Sequence, residues 1–221
     1  MRLGVLGGSF DPIHLGHLLV ADDVRRQLKL DRVMFVPTLQ PPHRIGPLAS
    51  FRHRIAMARL ALEGQSHLEL CTIEERLPIP SYTVETLRAV RRLYRTATIY
   101  FILGSDQYRE MATWHEPLVV ARLARLAVMS RPGIPRPALY PGHPGRRVAF
   151  VEVIPVSIAA RVIRGRLAKG ESVQYMLPTR VSDYIRRHRL YSETKGRKSR
   201  AVRIDPAPWS RTTAAHQKEK P

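Results

Sequence analysis

The sequence predicts a doubly wound α/β fold with a mostly parallel sheet and a small helical segment near its C-terminal end. Three observations carry that reading. Short apolar runs alternate with amphipathic stretches along most of the chain. Two of those runs, residues 2–6 and 98–103, end in glycine turns that feed helices, Gly7-Gly8 and Gly104-Ser105-Asp106. The strand-to-helix-to-strand spacing suits right-handed crossovers between parallel strands.

The elements follow in order. Residues 2–6 form a buried strand, and Leu15 to Lys29 carries Leu15, Leu18, Leu19, Val24 and Leu28 at helical spacing. Arg32 to Pro37 is a second buried strand. Thr38 to Ser50 is a loop holding Pro41-Pro42-His43-Arg44, at the carboxyl end of a strand, where open sheets bind ligands. Phe51 to Leu62 is an amphipathic helix that offers Ile55, Leu60 and Leu62 to the core. Leu68 to Ile73 alternates and predicts a third strand. Ser81 and Thr83 are candidate N-caps for a helix running to about Tyr94.

Thr98 to Leu103 is the most strand-like run. The loops after the first and fourth strands of such a sheet flank its switch point, so Gly104-Ser105-Asp106 should face Gly7-Gly8 across a crevice. Trp114 and His115 sit in a polar loop before a short helix at 118–123. Leu126 to Met129 and Val148 to Val153 are further strands, separated by a proline-rich loop or flap at 134–146. Ala159 to Lys169 is a helix closed by Gly170, and Val181 to His188 is a last amphipathic helix. From Ser192 onward the chain is polar, basic and unpatterned. The expected organisation is one domain over 1–191 and a disordered tail over 192–221.

Composition narrows the function classes. With 221 residues, 44% of them hydrophobic, the chain can bury one sizeable core. No run approaches the ~20 apolar residues of a membrane span. The N-terminus lacks an apolar leader, so a cytoplasmic location is expected. The single cysteine, Cys71, excludes an internal disulfide and a cysteine-based zinc cluster. A net charge of +19 would suit nucleic acid. Aromatics make up only 7% and do not interleave with the basic runs, however. A solvated basic surface that steers anionic nucleotides is the preferred reading.

The chemistry concentrates in GGSFDPIHLGH, residues 7–17. A glycine turn at a helix N-terminus presents unpaired N–H groups and a positive dipole end, which suits phosphate. His14 and His17, three residues apart on a helix, share one face and can reach the same phosphate. The segment matches neither the Walker pattern G-x-x-x-x-G-K-[ST] nor the dinucleotide fingerprint G-x-G-x-x-G. Elsewhere Arg44 could meet a phosphate, Asp106 could accept from a ribose hydroxyl, and Trp114 could stack on an aromatic ligand or cap the core.

The H-x-G-H pattern resembles the signature of the nucleotidylyltransferases. PPHR, PSYT followed by Thr86-Leu87, GSD followed by TW, and RPG occur in the same order as in one branch of that superfamily. Over about residues 1–191 the chain is similar to the bacterial nicotinate-nucleotide adenylyltransferases. The resemblance implies a Rossmann-like fold and transfer of AMP from ATP to nicotinate mononucleotide, giving deamido-NAD and pyrophosphate. It implies ATP contacts from Gly7, Gly8, Ser9, Phe10, His14, His17, Gly104, Asp106 and Arg164. It further implies mononucleotide contacts from Gly8, Ser9, Arg44, Thr83, Ser105, Trp114 and His115. His14, His17, Arg44 and Arg164 are the residues expected to act in catalysis, and Mg²⁺ is expected to arrive with ATP rather than in a protein-built cage. Beside phosphate, the two histidines are expected to carry protons at neutral pH.

Two departures stand out. The family's I-S-S-T-x-I-R aligns with Ile158-Ala159-Ala160-Arg161-Val162-Ile163-Arg164, so the arginine is kept and three hydroxyls are lost. Ile79 replaces a usual glycine before PSYT. Weaker ATP binding or an altered contact is the expected consequence of the first. Preference for nicotinamide mononucleotide or another phosphorylated substrate is an alternative, as is a non-catalytic nucleotide- or RNA-binding role. Oligomeric state, a homodimer included, is left open.

Overall fold

The structure is a computed structural model that describes residues 1–41, 49–130, 133, 135–138 and 147–192. Its centre is a six-stranded parallel sheet made of β1 (Arg2–Gly8), β2 (Arg32–Pro37), β3 (Leu68–Leu70), β4 (Thr98–Gly104), β5 (Arg125–Ser130) and β6 (Val148–Glu152). The strand order is β3-β2-β1-β4-β5-β6, and every neighbouring pair runs parallel. That order reverses between β1 and β4, the switch point where a crevice opens at the strands' carboxyl ends. Leu6 lies opposite Ile102, so the ends of β1 and β4 finish side by side.

Parallel strands need crossovers, and the crossovers cover both faces. One face carries α1 (Leu15–Gln27), α2 (Phe51–Leu62), α6 (Ala160–Ala168) and α7 (Thr179–Arg187), packed around Leu6, Phe35, Met57, Ile102 and Ile185. The other carries α3 (Thr83–Leu93), α4 (Ser105–Glu110) and α5 (Pro117–Leu123), packed around Val5, Val36, Leu87, Phe101 and Met111. Gly4 permits the first packing. A Cβ there would stand 2.9 Å from the Leu30 side chain and 3.1 Å from that of Ile102.

Several elements differ from the sequence reading. The third strand stops at Leu70, and Ile73–Arg76 is a 3₁₀ turn. The alternation of 68–73 is real, but Glu74 turns inward to bond Leu39 and Thr86, and the chain leaves the sheet to follow it. The N-cap of α3 is Tyr82, with no side-chain bond, and Thr83 is the first helical residue. The Ser81 hydroxyl instead accepts from the Gln40 N–H at 3.1 Å. Leu60 is half-buried, while Ile55 and Leu62 are buried as expected, and the buried stripe of α2 also takes in Arg54, Met57, Ala58 and Ala61. Gly170 has φ +72°, the left-handed stop expected after α6. Among the described residues no helix is long and apolar enough to cross a membrane. Residues 193–221, most of the predicted tail, and most of the 134–146 loop lie outside the described residues.

Candidate active site

At the switch point lies a pocket of about 280 Å³. Gly7, Gly8 and Ser9 form one wall, and Thr83, Trp114 and His115 form another. Thr38, Glu74, Tyr82, Thr86, Gln107 and Glu110 also border it. The pocket meets the N-terminus of α3, whose first amides have no partner within the helix. Such an end favours an anion. The Tyr82 and His115 rings lie 4.5 Å apart, and Trp114 packs edge-on against Phe101 at 6.1 Å. The half-buried tryptophan is thus anchored on the core while it borders the pocket.

A second group gathers around Phe10 and Asp11. His14 is the N-cap residue of α1 and is 5% exposed. Its backbone N–H donates to His17 Nδ1 at 3.2 Å, and the two rings stack with centroids 3.6 Å apart. His17 therefore carries its proton on Nε2. Gly16 makes this arrangement possible, because a Cβ there would stand 3.0 Å from His14 Nδ1. Phe10, at φ +47°, sets its ring edge-on to His17 at 5.0 Å. Arg164 Nη1 donates to the Asp11 carbonyl at 2.6 Å and stands 3.9 Å from the Asp11 carboxylate. The Tyr191 hydroxyl donates to Asp11 Oδ1 at 2.6 Å, which ties the end of the described chain to this loop.

The protonation expected of the histidines beside phosphate starts from a different state in the free protein. Burial pulls the His14 pKa down from 6.5 to about 4. Burial, and then the charge of His14, hold that of His17 well below its ordinary value. Two rings stacked this closely in a dry site cannot both be imidazolium, so the free protein holds them neutral.

The sequence-predicted residues therefore divide. Gly7, Gly8, Ser9, Thr83, Trp114 and His115 meet in one pocket, while Phe10, His14, His17 and Arg164 meet around the adjoining loop. Gly104 ends β4 and caps α4, which Ser105 and Asp106 begin, and none of the three borders the pocket. The Asp106 side chain is 90% exposed and pairs with Arg109. Arg44 lies outside the described residues. Ala159 is the N-cap of α6 and offers no side-chain bond, so the missing hydroxyls leave that helix end uncapped.

Two residues escaped the sequence reading. Arg54 is 1% exposed and donates to the Ser9 carbonyl at 2.6 Å. Glu74, 5% exposed, accepts from the Leu39 N–H and from Thr86, itself buried. A signal for Arg54 was present. It occupies a position of the apolar stripe 54-57-58-61-62, where a charge has no place unless something is paired to it.

Comparisons with known proteins show the family to which this fold belongs. The cytidylyltransferase-like family model matches residues 5–184. A protein of Thermomicrobium roseum named "Probable nicotinate-nucleotide adenylyltransferase" is 45% identical over 195 residues, covering 86% of this chain and 91% of its own. A protein of the same name from Thermus thermophilus is 43% identical over 196 residues, covering 86% and 100%. The solved structure of the Plasmodium falciparum nicotinic acid mononucleotide adenylyltransferase complexed with NaAD superposes with a TM-score of 0.70 over 86% of this chain and 97% of that one. At 20% identity the likeness is one of fold. The glycine loop, the stacked histidines and the switch-point pocket thus sit in a chain that matches these relatives almost end to end, and it belongs to the nicotinate-nucleotide adenylyltransferases of the cytidylyltransferase-like family.

Proposed function

We propose that the chain transfers the adenylyl group of ATP to nicotinate mononucleotide, giving deamido-NAD and pyrophosphate in NAD biosynthesis. The observation that carries this reading is the convergence on one pocket of the phosphate-binding glycine loop, the N-terminus of α3 and Trp114. A substrate fitting all three has a phosphate, an aromatic ring and an acidic group on that ring.

The mononucleotide phosphate attacks the α-phosphorus of ATP in line. A bond forms from its oxygen to that phosphorus, the bond to the β-phosphate oxygen breaks, and pyrophosphate leaves. The nucleophile is already an anion, so the protein's task is positioning and charge neutralisation. His17 offers Nε2–H to a phosphate oxygen, and His14 gains a proton as phosphate charge approaches. Arg164, held on Asp11, and Arg44 add positive charge. Thr83 and the α3 amides take the nicotinate carboxylate, and Trp114 stacks on the pyridine ring. Ser105 and Asp106 would reach the nucleotides only from the rim. Among the described residues no three His, Cys, Asp or Glu side chains group to hold a metal ion. A divalent ion such as Mg²⁺, brought with ATP, would add charge neutralisation at the phosphates. Catalysis is assigned to residues 1–191, in the cytoplasm, in keeping with the demand for ATP.

The amide substrate is the second reading. Glu74 and Glu110 border the pocket, and no Lys or Arg does among the described residues. A neutral carboxamide in place of the carboxylate would meet less repulsion there. A pyrophosphate-release assay with ATP and each mononucleotide decides between them. The acid should show a kcat/KM at least about tenfold higher; equal values, or a preference for the amide, would overturn the acid-specific reading.

A further inference from the structure

Arg54 is the largest fully buried side chain among the described residues, and stability alone does not account for it. Taking a guanidinium out of water is expensive, and an apolar residue of similar length is often the more stabilising occupant. Here burial lowers the arginine pKa, opposed only in part by the charges of Asp11, Tyr191 and Glu74. Nε finds no partner among the described residues. The fork spends its remaining donors on two carbonyls. Nη1 donates to Ser9 at 2.6 Å and Nη2 to Leu39 at 3.3 Å, with the cation 5.1 Å over the Phe51 ring.

Those carbonyls belong to the two loops that make the site. Ser9 ends the glycine loop of β1, and Leu39 follows β2. In a planar trans peptide the C=O and the next N–H point opposite ways. Anchoring the Ser9 carbonyl turns the Phe10 N–H away from Arg54. Anchoring the Leu39 carbonyl turns the Gln40 N–H toward Ser81, where the hydroxyl accepts it at 3.1 Å. From the other side the Leu39 N–H donates to Glu74 at 2.8 Å, and Thr86 donates to the same carboxylate at 2.9 Å. Leu39 is thus held by a buried arginine and a buried glutamate, between the histidine loop and the pocket.

We propose that Arg54 is a positioning residue for adenylyl transfer, acting with Glu74 through the Ser9 and Leu39 peptides to hold the phosphate loop and the mononucleotide pocket at one fixed separation. This rests on the adenylyltransferase reading above. In-line transfer depends on that separation, and a small misplacement of either half costs rate more than binding.

Arg54→Lys tests it, because a single ammonium keeps the charge but cannot span both carbonyls. Turnover is measured per folded enzyme, with the binding of ATP and of nicotinate mononucleotide by calorimetry and the thermal midpoint alongside. The expected result is a kcat lowered at least about tenfold with each Kd changed less than about threefold. A folded Arg54→Lys protein with kcat within about twofold of the parent would overturn the proposal, whatever its midpoint. If that variant does not fold, Glu74→Gln takes its place. A carboxamide has one oxygen and cannot accept from Leu39 and Thr86 as the two carboxylate oxygens do, so kcat should again fall while binding holds; unchanged kcat overturns the proposal. Failure of the acid-specific reading shows separately, as absent turnover of nicotinate mononucleotide by the unaltered protein. The comparison is then made with whichever mononucleotide that protein accepts.

Discussion

The His14 backbone N–H donates to His17 Nδ1, and the two imidazoles stack 3.6 Å apart, both neutral in the free protein. The pair is therefore held uncharged by burial rather than permanently positive, as the proposed phosphate role requires of a site that gains charge only when its ligand arrives.

This makes stability depend on pH in a defined direction. A buried histidine whose folded pKa is about 4 against 6.5 unfolded takes up protons mainly in the unfolded chain between those values. Stability is thus full above about pH 6.5 and falls as pH drops toward 4, by about 3 kcal/mol for His14. His17 shifts the same way. Thermal midpoints across about pH 4–8 should show the loss, and His14→Gln should flatten the curve. A midpoint that does not change from about pH 7 to 4.5 would contradict the burial of this pair.

Gly16→Ala separates catalysis from stability. Alanine favours helix over glycine by up to about 1 kcal/mol, yet its Cβ would crowd His14 Nδ1 at 3.0 Å. The expected variant is folded, has a melting midpoint near that of the parent, and loses at least about tenfold in kcat. His17→Ala should lose at least as much. Wild-type turnover in the Gly16→Ala enzyme would mean that the ring position of His14 is not needed.

Trp114→Ala should act on one substrate only. Its ring borders the pocket beside Thr83 and His115, away from the histidine pair. KM for the mononucleotide is expected to rise at least about tenfold, consistent with stacking of about 1–3 kcal/mol, while KM for ATP stays within about twofold. Equal increases in both would show that Trp114 supports the fold through Phe101 instead.

Restoring the lost hydroxyls should improve the enzyme. Ala159 is the N-cap of α6 in extended backbone, φ −128° and ψ 141°, where serine caps well. Ala159→Ser alone should add about 1 kcal/mol of stability. Combined with Ala160→Ser and Arg161→Thr, it should lower KM for ATP several-fold. If KM stays put, this chain has replaced those contacts by others.

The sequence carried much of this protein because its signals are local. Gly7-Gly8 before a helix, the i, i+3 histidines and the apolar periods of β1, β2 and β4 each depend on neighbours in the chain, and all three strands stand where their periodicity put them. The switch-point pocket follows from strand order, which glycine turns at two strand ends were enough to suggest. Trp114 and Thr83 share that pocket although they lie far apart in the chain, and only their family motifs linked them in advance.

What the sequence could not settle are the long-range decisions. Glu74 reads as a surface charge until Leu39 and Thr86 arrive to bond it. Arg54 reads as one more arginine in a chain of charge +19 until two loops close over it. The neutral state of His14 and His17 in the free protein is a decision of the same kind. Charge depends on desolvation, and desolvation is set by the whole packed fold. By itself the sequence determined most of the strands and helices and the glycine loop at which a phosphate is proposed to bind. Only the tertiary structure decided which charges are buried, and so which hold the site in place and which stay in water.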